Sequence, residues 1–272
     1  MTINCKGKLI DLSTPKVMGI LNVTPDSFYD GGHFKDKPSI LNQVERMLSE
    51  GATFIDVGAY SSRPGADNVS ETEELSRIIP IIDLLAKQFP EINLSIDTFR
   101  SKVAQECVNA GAAMINDISA GKLDEKMMAT VGKLQVPYVM MHMKGSPQNM
   151  QQHTDSDDLI KDIIYYLSER ITEARAHKIK DVIVDPGFGF SKTLEQNYEL
   201  LSNLQLLQMI EKPILVGVSR KSMIYKLLES TPENALNGTT SLNTVALLKG
   251  VKILRVHDVK EAMECITLIN QL

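Results

Sequence analysis

Eight short apolar runs recur along the chain, and each is followed by a polar or glycine-bearing turn and then an amphipathic stretch. The runs are VMGIL (17–21), TFIDV (53–57), NLSI (93–96), AMI (113–115), YVMM (138–141), DVIV (181–184), PILVGV (213–218) and KILRV (252–256). Each is rich in β-branched or large apolar residues and bounded by breakers, the pattern of strands buried on both faces of a parallel sheet. The intervening stretches carry helical spacing. After Ser39, the residues Ile40, Leu41, Val44, Met47 and Leu48 share one face, and Gly51 follows where a helix stops. Ser70 and Glu73 have capping-box spacing ahead of Leu75, Ile78, Ile79 and Ile82, with Pro80 predicting a bend. Val103, Cys107 and Val108 lead to Gly111. Leu159, Ile163, Tyr166, Leu167 and Ile171 form a long stripe, with His177 and Lys178 where the helix dipole favours cations. Leu194, Tyr198, Leu201 and Leu204 make another. Asp258 and Glu261 repeat the capping-box spacing ahead of Ala262, Cys265, Ile266 and Ile269.

Eight strand–helix units predict an α/β chain folded as a single (β/α)8 TIM barrel over 15–272, preceded by a small N-terminal hairpin within 1–14 that turns at Lys6-Gly7. The length of 272 residues is that of one such barrel, and no linker or low-complexity stretch divides it, so 1–272 reads as one domain. An open doubly wound sheet is the competing architecture, but no GxGxxG follows the first strand.

Composition removes several function classes. A net charge of −5 and a pI near 5.6 leave no broad basic surface for nucleic acid. No apolar run approaches the roughly 18 residues of a membrane span. The N-terminus lacks the apolar stretch of a secretory signal. Cys5, Cys107 and Cys265 are odd in number and far apart, so neither a CxxC metal pair nor a disulfide framework is present, and reduced thiols in the cytoplasm are expected.

The carboxyl ends of barrel strands are where such folds place chemistry. Here those positions hold Asn22, Asp56, Asp97, Asn116, His142, Asp185, Lys221, and Arg255 with His257. One or two such residues serve as turn formers or caps; a polar group at all eight ends does not follow from stability alone. Asp97, Asn116 and Asp185 supply acceptors suited to a flat heterocycle bearing an amino group and ring N–H donors. Lys221, Arg255, His257 and Arg63 supply positive charge, and Arg255 and His257 lie two apart on one strand face, which points to a phosphate or pyrophosphate. Alternation sends Arg220 and Lys221 in different directions, one toward the pocket and one toward the rim.

Three long loops, 22–38, 58–70 and 142–152, follow the first, second and fifth strands. Connections of this length are usually functional or mobile. Phe28 and Pro64 give the first two a surface that covers a substrate. DPGFGFSKT (185–193) is glycine-rich enough for backbone to approach a ligand.

Together these segments resemble the dihydropteroate synthase family of pterin-binding enzymes. The matching stretches are MGILNVTPDSFYDGG (18–32), SSRPGA (61–66), SIDTFR (95–100), INDIS (115–119), MHMKGSPQNMQ (141–151), DPGFGF (185–190), GVSRKS (217–222) and ILRVHD (253–258), in the family's order over almost the whole chain. The second loop departs from the usual GGESTRPG: here it reads GAYSSRPG, with Ala59, Tyr60 and Ser62 in place of Gly, Glu and Thr.

The resemblance implies a barrel, a homodimer, and condensation of 6-hydroxymethyl-7,8-dihydropterin pyrophosphate with 4-aminobenzoate, assisted by Mg2+. It implies that Asp97, Asn116, Asp185, Lys221 and Arg255 bind the pterin, and that Arg63, Arg255 and His257 meet the pyrophosphate. It places Phe28, Ser62, Pro64, Phe190 and Ser222 around the aminobenzoate and Asn22 at the metal. Asp97, Lys221 and Arg255 would act in catalysis. An arylamine is a weak nucleophile, so the chemistry expected is an SN1-like displacement in which the acidic wall supports a pterin-methylene cation and the basic side draws off pyrophosphate.

Competing readings are a methyltetrahydrofolate-binding methyltransferase of the same superfamily, a Schiff-base aldolase using Lys221, and a pterin-binding protein without catalysis. His33, His153 and His177 have no ligand-spaced partners and read as surface or loop residues, and the 13 methionines read as core filler. His142 is either a site residue or a packed rim residue, and Asp56 is expected to orient loop residues instead of touching substrate.

Overall fold

The computed structural model describes residues 1–23, 37–60 and 69–272. An antiparallel hairpin, β1 (Thr2–Cys5) and β2 (Lys8–Asp11), opens the chain. Its turn is Lys6-Gly7, both at positive φ, where the side-chain-free glycine costs nothing. Eight parallel strands follow: β3 (Lys16–Asn22), β4 (Phe54–Gly58), β5 (Leu94–Asp97), β6 (Met114–Asp117), β7 (Tyr138–Met141), β8 (Val182–Asp185), β9 (Leu215–Val216) and β10 (Ile253–Val256). Their order in the sheet is β8-β7-β6-β5-β4-β3-β10-β9, and a parallel bridge from Val184 to Ile214 joins the two ends. This is the predicted barrel, nearly closed on itself.

The helices between them are α1 (Lys37–Ser49), α2 (Glu71–Gln88), α3 (Ser101–Asn109), α4 (Met127–Leu134), α5 (Leu159–Ala176), α6 (Leu194–Ser202), the short α7 (Ser222–Tyr225), α8 (Leu236–Leu248) and α9 (Val259–Ile269). Strand alternation explains why the runs are apolar throughout. Outward residues such as Val17, Leu21, Ile55, Val57, Leu94 and Ile96 join one core with the helix stripes predicted above. Inward residues of the first strand halves, among them Met18, Phe54, Met114, Val139, Ile183 and Ile253, form a second core with Ile3, Cys5, Ile10 and Leu12 of the hairpin segment. The hairpin therefore stoppers the amino-terminal mouth of the barrel. Asn4 N–H donates to Asp181 at 3.0 Å and Lys6 Nζ to the Gly111 carbonyl at 3.0 Å, tying it to the strand-entry turns. Only the carboxyl-terminal mouth is left for polar side chains.

Three local expectations are corrected. The apolar run 213–218 yields a strand of only Leu215–Val216, because Pro213 has no N–H for the ladder and the run reports burial, not pairing. Ser70 caps α2 by accepting from Glu73 N–H at 3.2 Å, but the Glu73 carboxylate pairs with Arg77 instead of returning to the cap. At α9 the Asp258 side chain makes no cap bond; its two oxygens are taken by Arg220. A full capping box stands at Thr193–Gln196 of α6.

Leu12 is fully buried between hairpin and barrel floor. Leu12→Ala should cost about 2–5 kcal/mol of unfolding free energy in urea titration, the range for a core leucine. It should leave ligand affinity at the opposite mouth unchanged.

Candidate active site

Inward positions at the carboxyl half of the strands bring Asp56, Asp97, Asn116, Asp185 and Arg255 together. Asp56 lies inside β4, not at its end, and is fully buried. Arg255 on β10 reaches across β3 and donates from Nε to Asp56 Oδ2 at 2.6 Å and from Nη2 to Asp97 Oδ2 at 2.8 Å. Asn116 Nδ2 donates to the same Asp56 oxygen at 3.0 Å. One carboxylate thus sets both the guanidinium and the amide, and turns the Asn116 carbonyl oxygen free to accept. Asp56 Oδ1 is buried without a hydrogen-bond partner among the described residues.

Opposing charges shape the titration of this group. Burial pushes the Asp97 carboxyl up to about 7, with Arg255 pulling the other way and Asp56 adding to the rise. Burial also raises Asp185, against Lys221. Burial works against the charged Arg255, but the Asp56 and Asp97 carboxylates outweigh it and its pKa is raised. Lys221 is drawn down by burial to about 8, with Asp185 opposing. Asp185, Lys221 and Arg255 stand close enough that their charges shift one another's titration.

Lys221 is the residue before α7. Its Nζ donates to the Phe188 carbonyl and lies 4.8 Å from the Phe190 ring centroid. Ser222 begins α7 beside it. Arg220, at a φ of 55°, turns the other way to clasp Asp258 on the rim; the two cations diverge as expected, but β9 has already ended at Val216, so the backbone turn at Arg220 and not strand alternation divides them. Asp185 Oδ1 accepts from Gly187 N–H at 2.7 Å. His257 Nδ1 lies 3.0 Å from Ser219 Oγ. Asn22 ends β3, opposite Gly58 in register. Phe28, Ser62, Arg63 and Pro64 lie outside the described residues.

His142, open in the sequence between site and packed rim residue, is buried, with Nδ1 3.1 Å from Nζ of a buried lysine, Lys192. Other residues near the site carried little or no signal in the sequence. Glu74 of α2 is fully buried and holds Thr98 at 2.7 Å and Arg100, behind the end of β5. A glutamate in the apolar phase of a helix, four before Ile78, was the available signal. Tyr60 packs edge-on to Phe99 at 5.2 Å and accepts from Gln148 Nε2 at 3.2 Å, which joins the second loop's base to the fifth. Lys192 carried no sequence signal.

A barrel whose carboxyl mouth gathers carboxylates and a side-chain amide beside half-buried cations is suited to a polar ligand rich in hydrogen-bond donors. The chain belongs to the family of pterin-binding enzymes: the family model for pterin binding enzymes matches residues 18–257. Within it the chain is similar to the dihydropteroate synthase of Haemophilus influenzae, 42% identical over 261 residues, covering 95% of this chain and 94% of the relative. The Escherichia coli K12 dihydropteroate synthase is 41% identical over 273 residues, covering 99% and 96%. Among solved structures, the Yersinia pestis dihydropteroate synthase with a sulfonamide drug superposes with a TM-score of 0.93 at 43% identity, covering 100% of this chain and 98% of that one. The Xanthomonas albilineans dihydropteroate synthase with 4-aminobenzoic acid gives 0.91 at 38% identity, covering 99% and 97%.

Removing Asp56 takes one of the two carboxylates from Arg255 and the acceptor from the Asn116 amide at once. Asp56→Ala should lower unfolding free energy by about 3 kcal/mol in urea titration, the cost of breaking a buried ion pair from one side.

Proposed function

We infer that the protein is a dihydropteroate synthase: it joins 6-hydroxymethyl-7,8-dihydropterin pyrophosphate to 4-aminobenzoate and releases pyrophosphate. The observation that carries this is the cluster of Asp97, Asn116, Asp185 and Arg255 on four strands of a family-matched barrel, with Lys221 from the loop between β9 and α7 beside them. Asn116 Oδ1, the remaining Asp97 oxygen and Asp185 accept from the pterin's amino group and ring N–H donors. Arg255 and Lys221 flank the ring. Two nitrogens of Arg255 are already held by carboxylates, so its part is chiefly to organise the acidic wall, leaving Nη1 as a donor. Arg63 and His257 are assigned to the pyrophosphate, and Phe28, Ser62, Pro64, Phe190 and Ser222 to the aminobenzoate, on the family match of their motifs.

As the C–O bond to pyrophosphate breaks, positive charge grows on the pterin methylene and is met by Asp97 and Asp185. The neutral arylamine supplies the electron pair and loses its proton after attack. Among the described residues no group of three His, Cys, Asp or Glu side chains holds a metal by itself. The Asn22 amide oxygen at the mouth nevertheless suits Mg2+, which takes one or two protein oxygens and fills its shell with phosphate oxygens and water. Bound there, the ion would offset charge on the departing diphosphate. A cytoplasmic homodimer belongs to the same reading and rests on the resemblance alone; among the described residues no helix is long and apolar enough to cross a membrane.

A coupled assay with both substrates, with and without Mg2+, should show pyrophosphate released in step with dihydropteroate. Binding without turnover would overturn the reading. Asp185→Ala should weaken the pterin substrate by about 10- to 100-fold in direct titration, since a donor set worth about 1–3 kcal/mol is left unmet.

The pH profile of kcat/KM should be bell-shaped. It should fall on acidification through about 7, where Asp97 takes up a proton and loses its negative charge. It should fall on the alkaline side through about 8, where Lys221 loses its proton. Lys221→Arg, charged throughout, should move the alkaline limb upward, and an unmoved limb would show that Lys221 is not the group titrating.

A further inference from the structure

Lys192 is a buried cation that the chemistry above does not use. Its side chain and that of His142 are 3% and 1% exposed. Nζ lies 2.9 Å from the Gly187 carbonyl, 3.1 Å from the Phe190 carbonyl and 3.1 Å from His142 Nδ1. An ammonium has three donors and no acceptor, so this set of three acceptors satisfies it completely. The fit requires His142 to carry its proton on Nε2 and present the Nδ1 lone pair. Burial, with Lys192, Lys144 and Lys122 nearby, draws the His142 pKa down to about 2, so the ring stays neutral. Burial draws Lys192 down to about 7, with Asp185 opposing and Lys221 and Lys144 adding to the fall.

Both carbonyls belong to the turn 186–190, which also bonds two side chains of the site and one of α6. Gly187 N–H holds Asp185, the Phe188 carbonyl holds Lys221, and Gly189 N–H donates to Asn197 Oδ1 at 2.7 Å. The turn presses so closely on β7 that a Cβ at Gly187, which has a φ of 73°, would meet the His142 carbonyl oxygen at 2.1 Å. Side chains of the proposed pterin wall are thus fastened to the same turn that a single ammonium grips through its Gly187 and Phe190 carbonyls.

We propose that Lys192 is a positioning residue of the pterin wall: its ammonium pins the 186–190 turn to His142 and so fixes where Asp185 and Lys221 stand. The inference rests on the synthase reading for its ligand. A neutral side chain of similar length would leave two carbonyls and a ring nitrogen unmet and release the turn.

The test compares Lys192→Met with the unmodified protein by titration of 6-hydroxymethyl-7,8-dihydropterin pyrophosphate. Affinity should fall roughly 10- to 100-fold, as for a displacement of about 1 Å in a binding group, and Lys192→Arg should recover part of it. A lowered melting temperature with unchanged affinity of the folded protein would make Lys192 merely structural and overturn the proposal. Should Lys192→Met fail to fold, His142→Leu removes one of the three acceptors and should still weaken pterin affinity; unchanged affinity would overturn the proposal. In the unmodified protein, nitrogen NMR of His142 well below pH 7, where Lys192 carries its full proton complement, should show an unprotonated Nδ1 and a protonated Nε2; a protonated Nδ1 would overturn the pin. Failure of the unmodified protein to bind the pterin substrate would instead count against the synthase reading, and the His142 spectrum is independent of that outcome.

Discussion

Arg255 is held by two carboxylates from two other strands, and the mouth of the barrel is organised around that clamp. A parallel barrel turns every second residue of each strand into a closed interior. An ionisable group placed there has to be answered by a partner across the barrel, since an unpaired buried charge is far too costly to keep. The hairpin removes one mouth from this problem by filling it with Ile3, Cys5, Ile10 and Leu12. Among the described residues, the inward-facing charges Asp56, Asp97, Asp185 and Arg255 stand toward the other mouth. Two carboxylates against one guanidinium leave that wall with an excess of acceptors, which is the electrostatic condition a donor-rich ring needs.

The barrel was legible because nearly every strand residue is buried, outward against helices or inward against the hairpin, so burial alone writes a continuous apolar run. The same cause hid the details. A run such as 213–218 does not say which of its residues pair, and Asp56 inside TFIDV does not say that the strand continues to Gly58. Capping-box spacing at Asp258 was real, but a rim arginine competed for the carboxylate. Of the site, the residues on strand ends could be read from alternation. Their supports could not, because the partners are joined only by folding: Arg255 to Asp56 across 199 residues, Asn116 to Asp56 across 60, and Lys192 to His142 across 50.

Local consistency breaks where function would require it. Asp97 and Asp185 are pushed toward neutrality by burial while Lys221 is pulled the same way from the other side of the scale. Asp56 keeps one oxygen unmet. Each of these costs is tolerable only because the second layer is fully bonded: Glu74 with Thr98 and Arg100 behind β5, and Lys192 with three acceptors behind the 186–190 turn. The strain is local and the frame that carries it is apolar and closed.

This arrangement also decides between two ways a carboxylate can serve catalysis. A buried carboxyl with a raised pKa is a candidate base, and both Asp97 and Asp185 qualify on that ground alone. Their hydrogen bonds argue otherwise. Asp97 Oδ2 is committed to Arg255 and Asp185 Oδ1 to Gly187 N–H, so each has one oxygen left and a fixed direction for it. Groups fastened in this way do not follow a moving proton well, but they hold negative charge in place beside a carbon that becomes positive. Fixed dipoles and charges of that kind need no reorganisation as the bond breaks. The neutral arylamine needs no base to make it attack. On the proposed synthase reading, such a wall would stabilise a cation, which favours departure of the pyrophosphate ahead of attack by the amine.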